Sequence, residues 1–315
     1  MTMVVTGATG FIGRHLVRLL VQEGYPVRAL TRGEPPSDMV FPQVDWIVGD
    51  MADPASWARL LSPGCTVFNL AYSVSNVASN AVSTAREIVE ACASSGISRL
   101  VHCSTVSVYG RVSDAVVTEA TECQPRNAYG RTKLLIEKAL VDTVAGRFES
   151  AILRPSNVFG DGGVALVKEI GDLVGGAALL SHLRTSLFGQ RHAHFVPVET
   201  VASALLYLAQ TPLNAQSEIF IISDDDEPVN NFIDVQRILR EELSVPGLTL
   251  PLPILPRGFL EALLYMKGRA NVNTRAVYSP AKILSRGFVR PVVFEQALRQ
   301  YIRNYKFGQP PEGGK

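Results

Sequence analysis

Short apolar runs alternate with stretches of helical apolar spacing through the first 155 residues of the chain. Met3-Val4-Val5 reads as a buried strand, and Arg14 through Val21 carries apolar residues at helical intervals. Further strands are predicted at 27–30, 46–48, 66–70, 99–103 and 150–153. Helices are predicted at 55–61, 79–94 (ended by Gly96) and 128–140. This alternation predicts an α/β fold, a doubly wound parallel sheet with helices on both faces.

After Gly160 the rhythm changes. Residues 164–187 read as mostly helical with glycine interruptions, 195–198 as extended and 201–209 as helical. A buried strand at 218–222 is expected to rejoin the main sheet, followed by helices at 231–243 and 294–304. The predicted organisation is a Rossmann-type dinucleotide-binding domain over 1–160, with 195–223 returning to it. A small discontinuous substrate domain takes 161–194 and 224–307, and 308–315 is a frayed Pro/Gly tail.

The first strand-to-helix turn reads Thr6-Gly7-Ala8-Thr9-Gly10-Phe11-Ile12-Gly13. Glycines at 7, 10 and 13 let the backbone approach a dinucleotide pyrophosphate, which then rests on N–H groups at the positive end of the helix. By itself such a triplet also fits a plain tight turn.

Tyr129-Gly130-Arg131-Thr132-Lys133 is the second chemical signal. Tyr129 and Lys133 are four apart on a predicted helix and share one face. A nearby ammonium favours the phenolate and draws a tyrosine down from its usual pKa of about 10. A pair of this kind also occurs on ordinary solvated helix faces. Cys103-Ser104-Thr105-Val106-Ser107-Val108-Tyr109-Gly110 closes the fifth strand, where a hydroxyl would sit in the crevice used by open α/β sheets. Thr105 there can orient an alcohol or carbonyl oxygen, with Tyr129 moving the proton and Lys133 tuning it. Turn capping is the alternative role for Ser104, Thr105 and Ser107.

Composition narrows the partners. The 315 residues are 47% hydrophobic and 19% charged, with net charge +1. No charged field is present to draw nucleic acid or a membrane surface. The apolar late stretch 252–266 is broken by Pro253, Pro256, Arg257 and Glu261, too short to span a bilayer and expected to be a packed helix. The chain enters its first strand almost at once, so no signal peptide is expected. Cys65, Cys92, Cys103 and Cys123 lack CxxC spacing and are expected to be free thiols in a reducing cytosol. Histidines 15, 102, 182, 192 and 194 show no metal-ligand spacing, so no metal is expected; the free thiols and the expected lack of a signal peptide make the expected location cytoplasmic.

Taken together these segments resemble the extended short-chain dehydrogenase/reductase family, the NAD-dependent epimerase/dehydratase group, over nearly the whole chain. The resemblance extends to Gly49-Asp50-Met51, Asn69-Leu70-Ala71, Asn80, Glu119 with the segment from Pro125 to Lys133, the run from Leu153 to Gly160, and that from Phe195 to Ala202. It implies Thr105, Tyr129 and Lys133 as the catalytic triad, the last two also touching cofactor. It implies Gly7, Gly10, Phe11, Ile12 and Gly13 at the pyrophosphate and Asp50 and Met51 at the adenine. Ala71, Pro155 and Val158 would lie near the nicotinamide or its ribose. Asn157, with Thr105 and Ser107, would face the substrate. The family commonly dimerises through the helices near 79–94 and 128–140.

The chain also departs from that pattern. Thr31-Arg32 stands where NAD-preferring members carry an acid, and Arg32 can pair with a 2′-phosphate. This favours NADP slightly within an NAD(P) reading, with stacking on adenine as the other reading of Arg32. Val106-Ser107 replaces the Asp-Glu of the 4,6-dehydratases, and Ser107 replaces the cysteine of the deoxysugar epimerase-reductases. Redox at a secondary alcohol or ketone remains, as net reduction or as 4-epimerisation. Ala193-His194 replaces the family's Arg-Asp pair before Phe195, and Arg191, Arg184 or Arg275 can serve a diphosphate instead, or lie on the surface. The leading expectation is an oxidoreductase or epimerase acting on a nucleotide sugar. The apolar stretch 248–266 resembles the sterol-dehydrogenase-like and ketone-reductase branches and supports an apolar ketone as the alternative substrate. A non-catalytic cofactor-binding protein is the third reading.

Overall fold

The computed structural model describes residues 1–71, 78–110, 112–166, 170–171, 185–189, 191–213, 217–245 and 275–305. The expected helix across 252–266, Arg184, His182 and the tail lie outside these residues, as does most of 164–187.

Seven strands form the main sheet: β1 (Met3–Thr6), β2 (Val27–Thr31), β3 (Val44–Val48), β4 (Thr66–Asn69), β5 (Arg99–Cys103), β7 (Glu149–Pro155) and β10 (Ser217–Ile222). Between them in sequence lie β6 (Val116–Val117), β8 (Asn157–Phe159) and β9 (Phe195–Pro197), and β11 (Val277–Tyr278) follows. The order across the sheet is β10-β7-β5-β4-β1-β2-β3, every pairing parallel. The chain moves outward from β1 to β3, then crosses back to place β4 on the other side of β1. That reversal opens a crevice at the carboxyl ends of β1 and β4, the general position of ligand sites in open α/β sheets.

Alternation along the strands explains the two layers. Met3, Val5, Ala29, Phe68, Val101, Leu153 and Phe220 face one side. There they pack against Leu16, Val17 and Leu20 of α1 (Phe11–Gln22) and Val201, Ala204, Leu205 and Leu208 of α5 (Val198–Gln210). Val4, Leu30, Val67 and Leu100 face the other. They meet α2 (Pro54–Leu60), α3 (Ala78–Ser94) and α4 (Ala128–Val144). Strands buried on both faces read as continuous apolar runs, as MVV and LVHC do. Each fully buried Leu or Phe in these layers contributes about 1.5–3 kcal/mol.

Local signals set the helix starts. Asp53 caps α2, accepting from Ala55 N and Ser56 N, with Pro54 in its first turn. Asn127 caps α4 through Gly130 N at 2.7 Å. Asn231 caps α6 (Phe232–Leu243) through Asp234 N at 3.0 Å.

A separate apolar cluster joins Phe159, Phe195, Val235, Ile238 and Leu239 to Phe294, Leu298 and Ile302 of α8 (Phe294–Asn304). β8 and β9 pair beside the main sheet, and β6 pairs with β11. Ile283 of α7 (Ala281–Ser285) and Phe288 join the core of the main sheet, although the sequence groups them with the smaller domain. Among the described residues no helix is long and apolar enough to cross a membrane.

Candidate active site and cofactor cleft

The turn after β1 is built by its glycines. Gly7 adopts φ +69°, and a Cβ there would lie 2.7 Å from Ala71 N. A Cβ at Gly13 would lie 2.0 Å from the Gly7 carbonyl oxygen. The turn therefore closes tightly on the end of β4, where Thr6 Oγ1 donates to Asn69 Oδ1 at 3.0 Å. Gly10 takes the N-cap position of α1, with no side chain capping that end and no acidic residue in the first turn. A helix start of this kind suits an anion, so the residues fit a dinucleotide pyrophosphate. Phe11 and Ile12 are half-buried there, and a Cβ at Gly163 would lie 2.6 Å from the Phe11 ring.

The remaining cofactor candidates line the same carboxyl edge. Arg32 is exposed just past β2. Nearby, Asp38 pairs with Arg14 at 3.5 Å and Arg18 at 2.5 Å. Asp50 follows β3 and turns its Oδ1 to Ala52 N at 2.9 Å, while the Met51 carbonyl accepts from Trp57 Nε1 at 2.8 Å. Ala71 lies after β4, Pro155 ends β7, and Val158 is half-buried in β8.

The proton-transfer candidates come from β5 and α4. Lys133 is 3% exposed, and its Nζ donates to the Cys103 carbonyl at 2.9 Å. Burial lowers the Lys133 pKa from its usual value, and Glu137 opposes that shift. Thr105 and Ser107 are joined twice at 3.2 Å, by Thr105 Oγ1 donating to Ser107 Oγ and by Ser107 N donating to Thr105 Oγ1. Gly130 lets α4 lie directly on this loop, since a Cβ there would sit 2.5 Å from the Ser107 carbonyl oxygen. Tyr129, one residue earlier, keeps 40% of its surface exposed. A buried cation thus stands one helical turn from an accessible phenol, beside paired hydroxyls.

A buried network holds this frame. Arg154 on β7 donates to Glu137 at 3.1 and 2.6 Å and to the Tyr109 hydroxyl at 2.7 Å. Ser104 Oγ donates to the same Glu137. Burial works against the Arg154 charge, but Glu137 outweighs it and the pKa rises. Burial raises the Tyr109 pKa, which keeps that phenol protonated. His102 on β5 is held well below its usual pKa by burial, then by the Lys133 charge, and stays neutral.

Asn157 is exposed on β8, its side-chain amide donating to the Ala193 carbonyl at 3.3 Å. Arg191 is half-buried before β9. Two partners of this region escaped the sequence reading: Asp225, which meets His194 Nδ1 at 2.7 Å, and Tyr278, whose ring lies edge-on to His194 at 5.0 Å. The acidic run Asp224-Asp225-Asp226 at the end of β10 was the available signal for the first, and nothing local marks the second. Among the described residues no group of three His, Cys, Asp or Glu side chains could hold a metal.

The profile of the NAD dependent epimerase/dehydratase family matches residues 3–223, spanning the sheet, the glycine turn and the Tyr129–Lys133 helix. The chain belongs to this family. It is an extended short-chain dehydrogenase/reductase, a group of NAD(P)-dependent enzymes. Among curated relatives it is 29% identical to 2-alkyl-3-oxoalkanoate reductase of Stenotrophomonas maltophilia, over 55% of each chain. It is 35% identical to dTDP-6-deoxy-L-talose 4-dehydrogenase (NAD(P)(+)) of Kitasatospora kifunensis, over 51% of this chain and 53% of that one. The matches thus span about half the length of both relatives. The structure of the Thermus thermophilus UDP-glucose 4-epimerase in complex with NAD superposes with a TM-score of 0.68 at 20% identity, covering 96% of this chain and 98% of that one. At that identity the likeness concerns the fold.

Proposed function

We propose that this protein is an NAD(P)-dependent oxidoreductase or epimerase acting at a secondary alcohol or ketone carbon, with a nucleotide sugar as substrate. The observation that supports the chemistry is that α4 carries exposed Tyr129 one turn before buried Lys133 and lies at Gly130 against the loop that bears the Thr105 and Ser107 hydroxyls. Gly7, Gly10, Phe11, Ile12 and Gly13 would hold the cofactor pyrophosphate, and Asp50 and Met51 its adenine. Ala71, Pro155 and Val158 would flank the nicotinamide end. When bound, the cofactor supplies or accepts the hydride. Tyr129 gives or takes the proton on the substrate oxygen, Thr105 and Ser107 orient that oxygen, and Lys133 stabilises the phenolate while holding ribose hydroxyls. Exposed Arg32 in place of an acid supports NADP over NAD.

Asn157 and Arg191 support the nucleotide-sugar reading as groups facing the substrate. The names of the relatives include both a sugar-nucleotide dehydrogenase and an oxoalkanoate reductase. Ala193-His194 in place of the Arg-Asp pair favours a second reading, in which the substrate is an apolar ketone. Leu135 and Val141, exposed on α4, support a homodimer through α3 and α4, which solution sizing would test.

The deciding experiment is a thermal-shift series on NADPH-loaded protein with UDP, GDP, dTDP and CDP. A ligand at about 100 times its dissociation constant stabilises by about 2.7 kcal/mol. A response to one nucleotide supports the sugar reading and names the base. Silence from all four, with NADPH bound, moves the substrate to the apolar ketone.

A further inference from the structure

The turn that follows β8 reaches from the separate apolar cluster to the first helix of the main sheet. Its root is tightly packed. Phe159 lies edge-on to Phe195, Phe294 and Tyr301, with ring centroids 6.1, 5.7 and 6.0 Å away. Residues 160–163 then close on themselves, Gly163 N donating to the Gly160 carbonyl at 2.9 Å. Gly162 adopts φ +82°, a conformation that suits glycine. From α8, the Tyr301 hydroxyl donates to the Gly163 carbonyl at 3.3 Å. Burial pushes the Tyr301 pKa up to about 12, so the phenol keeps the proton that it donates.

The tip of the turn is fastened to α1 at two points. His15 Nε2 lies 2.9 Å from the Asp161 carbonyl oxygen. A carbonyl only accepts, so Nε2 carries the proton, and the bond forms whether the ring is neutral or charged. One helical turn earlier, the Phe11 ring meets the His15 ring edge-on at 5.8 Å. Phe11 also lies directly on the Gly163 backbone, where a Cβ would approach its ring to 2.6 Å. Phe11 is the first residue of α1, next to Gly10 at the helix start that no side chain caps. The turn therefore rests against the helix end that would hold a pyrophosphate. Root and tip differ in strength. The root sits among buried aromatic rings, whereas the His15 bond is exposed and open to competition from water. A segment held in this way opens locally at far lower cost than the fold as a whole.

We propose that residues 160–163 form a clasp beside the pyrophosphate end of the cofactor cleft, latched by His15 and Phe11, which must open for the dinucleotide to enter or leave. His15 is then a positioning residue that acts on the cofactor only through the clasp. The inference rests on the dinucleotide-binding reading of the glycine turn. An opening step common to entry and exit scales both rates by one factor and leaves the equilibrium affinity unchanged.

The test is stopped-flow fluorescence of NADPH association and release on the full chain, beside equilibrium titration. The variants are His15→Leu, His15→Gln and Gly163→Ala. Leucine cannot donate to Asp161, whereas glutamine carries an amide N–H at a similar reach and can restore the bond. In His15→Leu, association and release should both quicken by about two- to tenfold, the factor that one hydrogen bond is worth. Affinity should stay within about twofold of wild type, as a gate requires. His15→Gln should return both rates to near the wild-type values. Gly163→Ala pushes the turn off Phe11 and should quicken both rates as well. Hydrogen exchange of the 160–163 amides in the cofactor-free protein should accelerate in His15→Leu and Gly163→Ala, which reads the latch with no dinucleotide present. Unchanged rates in both of those variants would overturn the clasp. Weaker affinity through faster release alone would overturn it too, making these residues direct cofactor contacts. A wild-type chain that binds neither NADPH nor NADH would instead sink the dinucleotide reading, and the cofactor role of the clasp with it.

Discussion

Lys133 Nζ reaches the Cys103 carbonyl at 2.9 Å, so the cation of the proposed proton-transfer unit is tied to the end of the strand that carries Thr105. This bond holds in place an ammonium that burial disfavours, one helical turn after Tyr129 on α4. Lys133→Met keeps much of the volume and removes both the charge and the donor. Turnover should fall by a factor on the order of 10²–10⁴. NADPH affinity should fall with it, because the same ammonium would hold the ribose. Tyr129→Phe should lose turnover comparably but leave NADPH affinity nearly intact. Steady-state kinetics beside NADPH fluorescence titration separates the two, and identical behaviour in both assays would argue against distinct roles.

Gly130 sets how closely that helix approaches the hydroxyl loop. A Cβ at this position would lie 2.5 Å from the Ser107 carbonyl oxygen, against backbone that cannot rotate away. Gly130→Ala should therefore destabilise the fold by about 1–3 kcal/mol despite alanine's better helix propensity. It should also lower turnover by displacing Tyr129 from Thr105. Urea unfolding and kinetics check both, and a variant at least as stable as wild type would show that the loop yields freely.

The elements that sequence revealed are those whose pattern is local. Gly7, Gly10 and Gly13 mark the first turn because strand, turn and helix are contiguous, and Tyr129 and Lys133 mark a face because four residues make about one helical turn. The strand runs were legible because both faces of a parallel sheet are apolar. The same logic could not foresee β6 and β11, two-residue strands that pair across some 160 positions. Nor could it join His194 to Asp225, 31 residues away, because a single aspartate in an acidic run carries no address. Glu137 and Arg154 each look like ordinary surface charges in the sequence, and only the meeting of α4 with β7 buries them as a pair.

Arg32 offers a direct test of cofactor choice. It is exposed beyond β2, where a 2′-phosphate would lie if the dinucleotide occupies the glycine turn. Arg32→Ala should weaken NADPH by about ten- to a hundredfold, one charge-assisted contact being worth about 1.5–3 kcal/mol. NADH affinity should change little. Parallel titrations with the two cofactors give the ratio directly, and an unchanged ratio would leave Arg32 as an adenine-stacking residue.

The Glu137–Arg154 pair should be costly to break. Arg154 donates to both Glu137 oxygens, and both side chains are almost wholly buried. Glu137→Gln keeps the shape and strands a buried guanidinium. The expected loss is about 3–5 kcal/mol, larger than for exposed pairs such as Arg237–Glu241. Urea denaturation measures it, and a loss below about 1 kcal/mol would mean that water reaches Arg154 in solution.

Asp224 predicts a pH dependence that runs opposite to the usual carboxylate. Burial raises its pKa from 3.8 to about 7, against the smaller opposing effect of Arg290 at 2.8 Å. The folded state therefore holds the proton more tightly than the unfolded chain does. The stability contributed by this group is complete below its unfolded pKa of about 4 and is lost as pH rises through about 7. Asp224→Asn removes the titration and keeps the shape. Relative to wild type, the variant should gain stability as pH is raised from 5 to 8, in urea midpoints measured at constant ionic strength. If the difference between the two proteins stays flat across that range, Asp224 is already ionised in the fold and Arg290, not burial, governs it.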